Sequence, residues 1–287
     1  MAIKKIMVPL DGSKSDTEVL NTALVMADRF GAHVEVLHVM PRATDTAPFT
    51  FARLPVKLKD TVVSEAERDS REKADAIQVV FETCCAKYNV PIADKPTPGV
   101  TASWHEEQGR ASEVLVPRAR LSDMVAIARP RRSGSTVRRS PAGETLEAVM
   151  LQSGRPVLIV PPEWQATWVE HAAIGWNESL EVSRALAMTL PCLPFMKTVT
   201  IIVSTKREAS AKALVEYLAW HGIEAEIQVF NKTHGSVGEI MLDLCVTVGA
   251  GLLIVGGFSH ARAREMLFGG VTRYLLAHAN VLTAMVH

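Results

Sequence analysis

The 287-residue chain has no excess of charge of either sign: Lys and Arg together number 31, and so do Asp and Glu. Such a balance gives no global attraction to nucleic acid or anionic lipid, so neither a nucleic-acid partner nor a membrane surface is expected. Long apolar runs are missing as well. The most apolar stretch, Val246 to Phe258, is interrupted by Thr247 and four glycines and falls short of the ~20 residues of a membrane helix. The apolar run after Lys4 and Lys5 ends at Asp11, too short for a signal-peptide core. Cysteine is scarce. Cys84, Cys85, Cys192 and Cys245 include no C-x-x-C spacing, which argues against a disulfide framework and against a zinc site. No G-x-x-x-x-G-K-[ST] motif occurs, and Pro9 to Asp16 lacks the S-G-G-x-D-S loop of ATP pyrophosphatases, so an ATP-splitting enzyme has no motif behind it. A cytoplasmic protein with no metal site fits these absences.

What the chain does have is apolar content, 48% of residues, enough for substantial cores. Ile3 to Leu10 is an apolar run of strand length that ends in the turn Asp11-Gly12-Ser13. From Ser15 or Asp16, Val19, Leu20, Ala23, Leu24 and Ala27 recur at helical spacing, and Gly31 stands where a C′ glycine would stop the helix. Val34 to Val39 is a second strand, and this strand-helix-strand succession favours a right-handed parallel crossover. Met40 to Pro55, with three prolines, reads as a loop. A long helix from about Thr61 to Tyr88 follows. Strands at Val100 to Trp104, Met124 to Ala128 and Val157 to Val160 alternate with helices near Ala111 to Arg120 and Gly143 to Ser153. After Pro161-Pro162-Glu163-Trp164 the same succession restarts at His171 to Trp176, with Asn177-Glu178-Ser179 in the place of Asp11-Gly12-Ser13. The repeat divides the chain into two α/β units, residues 1–162 and 168–287.

Ligands of open parallel sheets collect outside the carboxyl ends of the strands, where the strand order reverses. That directs attention to the turns after the first and fourth strands of each copy. In the first copy the leading strand ends in Pro9-Leu10-Asp11-Gly12-Ser13. In the second, the fourth strand runs into Gly256-Gly257-Phe258-Ser259-His260, with Gly269-Gly270-Val271-Thr272 farther on. These segments and the tandem arrangement resemble the universal stress protein family over nearly the whole chain. The resemblance implies a five-stranded parallel sheet per copy, in order 3-2-1-4-5, with helices on both faces. Nucleotide-binding members carry G-x-x-G, nine residues, then G followed by Ser or Thr; here the frame is Gly256, Ser259, Gly269 and Gly270. In such a frame, glycine amides close on phosphate oxygens and the following helix contributes its dipole. Ser259 stands where the second glycine belongs, and Gly270 lacks the hydroxyl that would meet phosphate. The resemblance also matches Asp11 and Val39 to positions that hold adenine or ribose, with Asn177 in the aspartate's place in the second copy. Each copy is therefore half of a site. Either both have lost their ligand and the glycines only make turns, or ATP or another adenine nucleotide is held weakly in the second copy.

Arg129, Arg131, Arg132, Arg138 and Arg139 form the one dense basic cluster, either an anion site built of guanidinium forks or a solvated loop. Gly257-Phe258-Ser259-His260-Ala261 nearly matches a G-x-S-x-G nucleophile elbow, but no acid and histidine follow in the order that chemistry needs. His105-Glu106-Glu107 alternate across a strand and do not converge on a metal. The preferred reading is a non-catalytic sensing or binding protein with an unidentified protein partner. The alternatives are a nucleotide-hydrolysing or phosphoryl-transferring enzyme of the same architecture, with Asp11 near a metal, and a scaffold that binds no nucleotide. The last strand of each copy, Pro156 to Val160 and Val281 to Val286, would be an exposed sheet edge. Members of the family dimerise there, so the two edges are expected to pair within one chain, giving a monomer with internal pseudo-twofold symmetry, or else a homodimer of tandem chains.

Overall fold

The computed structural model describes residues 2–42, 56–130, 141–231, 235–257 and 270–287. The first half contains strands β1 (Lys5–Leu10), β2 (His33–Met40), β3 (Thr101–Gln108), β4 (Met124–Ala128) and β5 (Val157–Val160). Its helices are α1 (Asp16–Phe30), α2 (Val56–Lys87), α3 (Ala111–Ala119) and α4 (Pro141–Gln152). The second half contains β6 (His171–Trp176), β7 (Thr198–Ser204), β8 (Glu226–Phe230), β9 (Leu252–Gly256) and β10 (Leu282–Val286). Its helices are α5 (Leu180–Thr189), α6 (Glu208–Ala219), α7 (Val237–Val248) and α8 (Gly270–His278).

Each half has the expected order 3-2-1-4-5, but the two sheets are not separate. All the strands form one ten-stranded sheet, β3-β2-β1-β4-β5-β10-β9-β6-β7-β8. The join is the expected pairing of the two last strands, now seen as an antiparallel ladder with Thr283 opposite Ile159, Ala284 opposite Leu158 and Met285 opposite Val157. The ladders within each half are parallel. Hydrogen bonding leaves neither strand an open edge, so an edge in need of protection has become the seam of the molecule.

The strands are apolar on both faces, as parallel strands covered on two sides must be. Ile6, Val8, Leu158, Ile174, Ile201, Ile254 and Ala284 belong to one core layer, which runs through both halves and takes in α1, α2, α5 and α6. Met7, Leu37, Val125, Ile159, Ala173, Leu253 and Met285 belong to the layer on the opposite face, with α3, α4, α7 and α8. Helix ends follow local chemistry. Gly31 closes α1 in the left-handed conformation, φ 58°, with its N–H donating to Ala27 O. Ser236 and Glu239 form a reciprocal capping box at the start of α7. Helix α2 begins at Val56 rather than Thr61, because Lys57, Leu58, Lys59 and Asp60 extend it, three of them strong helix formers. The matching helix of the second half, α6, has 12 residues against 32, so the two sheet mouths are covered unequally.

Leu158 is fully buried in the seam, next to Ala284. Leu158→Ala is expected to cost about 2–5 kcal/mol, read as a lower urea midpoint. A loss below about 1 kcal/mol would contradict close packing of the seam.

Candidate functional site

The two leading turns are built alike from different residues. Asp11 Oδ1 accepts from Ser13 N at 3.0 Å, and Asn177 Oδ1 accepts from Ser179 N at 3.1 Å. An Asx turn needs only a side-chain oxygen, so the charge is not required for the geometry. The middle residue is left-handed in both, Gly12 at φ 79° and Glu178 at φ 63°. Their surroundings explain the exchange. A Cβ on Gly12 would lie 2.3 Å from Lys73 Cε of α2, so the flexible end of that lysine would have to move, and the positive φ itself favours glycine. In the second half the corresponding helix is short, and Glu178 reaches out to Arg207, 3.1 Å away.

Behind the first turn sits Asp16, 5% exposed. Its carboxylate accepts from Gly12 N at 2.8 Å and from Ser13 Oγ at 3.0 Å. Burial, and then the neighbouring Asp11 carboxylate, push its pKa up to about 6. The register Leu10 opposite His38 sets Asp11 beside Val39. Val39 packs into the layer of Leu37, whereas His38 faces the other way. His38 Nδ1 lies 2.9 Å from Leu10 O, its ring stacks on Trp104, and its buried Nε2 has no hydrogen-bond partner among the described residues. The carbonyl acceptor requires the proton on Nδ1 and leaves Nε2 an acceptor. Asp16, Lys73 and His38 are thus the residues that sequence reasoning missed. An acid in the first turn of α1 was a visible signal for Asp16, but nothing local marks Lys73 or His38.

In the second half, carrying the register Ile174 opposite Ile254 two residues further sets Trp176 beside Gly256 and brings Asn177 next to Gly257. Gly256 is held by packing: a Cβ there would lie 2.6 Å from Val182 N in the first turn of α5. Gly257 N donates to Val286 O at 2.8 Å. Gly270 opens α8, while Ser259, His260 and Gly269 lie outside the described residues.

Of the basic cluster, Arg131, Arg132, Arg138 and Arg139 lie outside the described residues. Arg129 is described, and it is already engaged. Its Nη1 donates to Ala277 O and, at 3.4 Å, to Leu276 O of α8, and burial lowers its pKa. One arm of its guanidinium, Nη1, is thus committed to backbone carbonyls of the other half, while its buried Nε has no partner among the described residues. The segment His105-Glu106-Glu107 alternates as expected. Glu106 takes Arg71 at 2.6 Å and Trp104 Nε1 at 3.0 Å. On the other face, Glu107 lies 3.6 Å from Arg118 and His105 lies 4.0 Å from Glu35, which Lys5 meets at 2.7 Å. No group of three or more metal-binding side chains is found among the described residues.

A profile of the Universal stress protein family matches residues 2–161. The chain belongs to the Universal stress protein family. Among solved structures, the universal stress protein from Archaeoglobus fulgidus DSM 4304 superposes with a TM-score of 0.70 at 16% identity, covering 98% of this chain and 95% of that one. A putative universal stress protein from Pseudomonas aeruginosa UCBPP-PA14 gives 0.57 at 12% identity, covering 99% and 93%. At these identities the superpositions speak for the fold alone. No curated protein matches the chain. Among the described residues of this universal stress protein, no helix is long and apolar enough to cross a membrane.

The raised pKa of Asp16 yields a prediction with a definite sign. A carboxyl whose folded pKa exceeds its unfolded one adds stability that is complete below the unfolded value, 3.8, and is lost as pH rises through about 6. The loss is of order 3 kcal/mol. Asp16→Asn keeps an acceptor for Gly12 N and removes the titration. The wild-type-minus-variant stability difference, from denaturant curves, is therefore expected to fall between about pH 4 and pH 6. A difference that stays flat across that range would contradict the assignment.

Proposed function

We propose that this universal stress protein is a non-catalytic binding module whose second half holds an adenine nucleotide weakly, by way of Asn177, Gly256, Gly257 and the amino end of α8. The observation that carries this reading is the contrast between the two mouths. The first sets the carboxylates of Asp11 and, behind it, Asp16 at its leading turn, offset in part by the Lys73 ammonium of α2 over Gly12. The second makes the same turn with neutral Asn177, and the nearby Glu178 carboxylate is drawn to Arg207. It also keeps glycine at Gly256 and Gly257, and a helix of nine residues starts at Gly270, so backbone amides and a helix dipole are available to phosphate. The remaining positions of the frame, Ser259, His260 and Gly269, belong to the same proposed site, whereas Asp11 and Val39 form a lesser counterpart in the first half.

Two modules, residues 1–162 and 168–287, are assigned to one chain that acts as an internal pseudo-dimer in the cytoplasm. A bound nucleotide would present its state to a protein partner, and neither metal nor general acid is required.

Thermal unfolding with and without ATP tests this. ATP at about ten times its Kd adds about 1.4 kcal/mol and is expected to raise Tm by a few degrees, with negligible turnover. Asn177→Ala is expected to remove most of that rise. No shift at millimolar ATP would overturn the binding reading in favour of a scaffold, and turnover lost on Asp11→Ala would replace it with an enzyme.

A further inference from the structure

The seam creates a reciprocal contact between the halves. Arg129 N donates to Val160 O, and Gly257 N donates to Val286 O, both at 2.8 Å. These are equivalent bonds: in each half the residue following the fourth strand ties back to the last residue of the fifth. The spacing that relates Val160 to Val286 also relates Met150 of α4 to Leu276 of α8. The contacts across the seam obey the same symmetry. Met150 Cε lies 3.2 Å from the position a Cβ of Gly257 would take, and Arg129 Nη1 lies 3.4 Å from Leu276 O. Gly257 has no side chain, so Met150 settles against it. Arg129 has a long one, which passes over the seam and donates to the last-turn carbonyls of α8, Leu276 O and Ala277 O.

Those carbonyls have no partner within their own helix, and a cation is favoured at that end of the dipole. The nine-residue α8 is short, so a constraint on its carboxyl end is felt at Gly270. We infer that Arg129 is a positioning residue for the second half's ligand site: a side chain of one half sets where the helix of the other half meets its ligand. The inference rests on the nucleotide reading above for its ligand, though not for its geometry. By the same equivalence Arg129 takes the place of Gly257, a middle position of the G-x-x-G frame, while Ala128 takes that of its first glycine, Gly256.

The test measures ATP affinity by calorimetry for the full chain, for Arg129→Met, which keeps an apolar stem and drops the donors, and for Arg129→Lys. Arg155→Ala is the control: Arg155 Nη2 donates to Arg120 O at 2.7 Å, so its loss removes the same kind of bond inside the first half. The expected result is affinity at least about fivefold weaker for Arg129→Met, partial recovery for Arg129→Lys, and no change for Arg155→Ala. Hydrogen exchange of the ligand-free protein is expected to quicken over residues 270–278 in Arg129→Met alone. If Arg129→Met does not fold, Arg129→Gln, whose shorter amide cannot span the seam, is read in its place with the same expectation. Wild-type affinity retained in that variant would overturn the inference and leave the nucleotide reading standing. If the wild type binds no ATP, the nucleotide reading fails and takes the positioning role with it; faster exchange over 270–278 in Arg129→Met would then show only that Arg129 ties α8 to the first half.

Discussion

The antiparallel ladder between β5 and β10 is the interaction on which the rest of this molecule depends. A parallel five-stranded module leaves its last strand with a row of unpaired amides and carbonyls. Writing the module twice in one chain brings its complement within reach. Once Leu158 and Ala284 face one another, both core layers become continuous from end to end, and Arg129 and Gly257, the residues that follow β4 and β9, are carried against the opposite half. The contacts of Arg129 with α8 and of Met150 with Gly257 follow from that geometry.

Duplication also frees the copies to diverge. The first leading turn keeps Asp11, sets Asp16 behind it and lies beneath Lys73 of a long helix. The second makes the same backbone turn with Asn177, under a shorter helix that leaves room for Glu178. Turn geometry is held by an oxygen acceptor in both, so it tolerates the loss of charge, while the electrostatic character of the mouth does not survive the exchange. Turn geometry and charge thus separate at a single atom, the second Asp oxygen.

Much of this was legible in the sequence, because the signals were local. Gly31 stops α1 in the left-handed conformation that only a residue like glycine takes cheaply, and strands β4, β5 and β6 fall at the residues their apolar runs mark. The restart at His171 gave the doubling, and the edge argument gave the β5–β10 pairing, though not the merging of the two sheets into one. What could not be read were contacts between residues far apart in the chain. Lys73 over Gly12 depends on how a long helix crosses the sheet. Arg129 reaching Ala277, 148 residues away, depends on the seam itself. A basic cluster reads as an anion site or a solvated loop, and only the fold shows that one of its members, Arg129, has carbonyl partners.

On the proposed reading, the doubled sheet leaves one mouth, that of the second half, suited to a nucleotide anion. Hydrogen–deuterium exchange with mass spectrometry, with and without saturating ATP, tests it most directly. Slower exchange in peptides covering Asn177 and the segment from Gly256 through α8, with peptides covering Leu10 to Asp16 unchanged, is the result predicted. Protection confined to Leu10 to Asp16, or none at either turn, would contradict it.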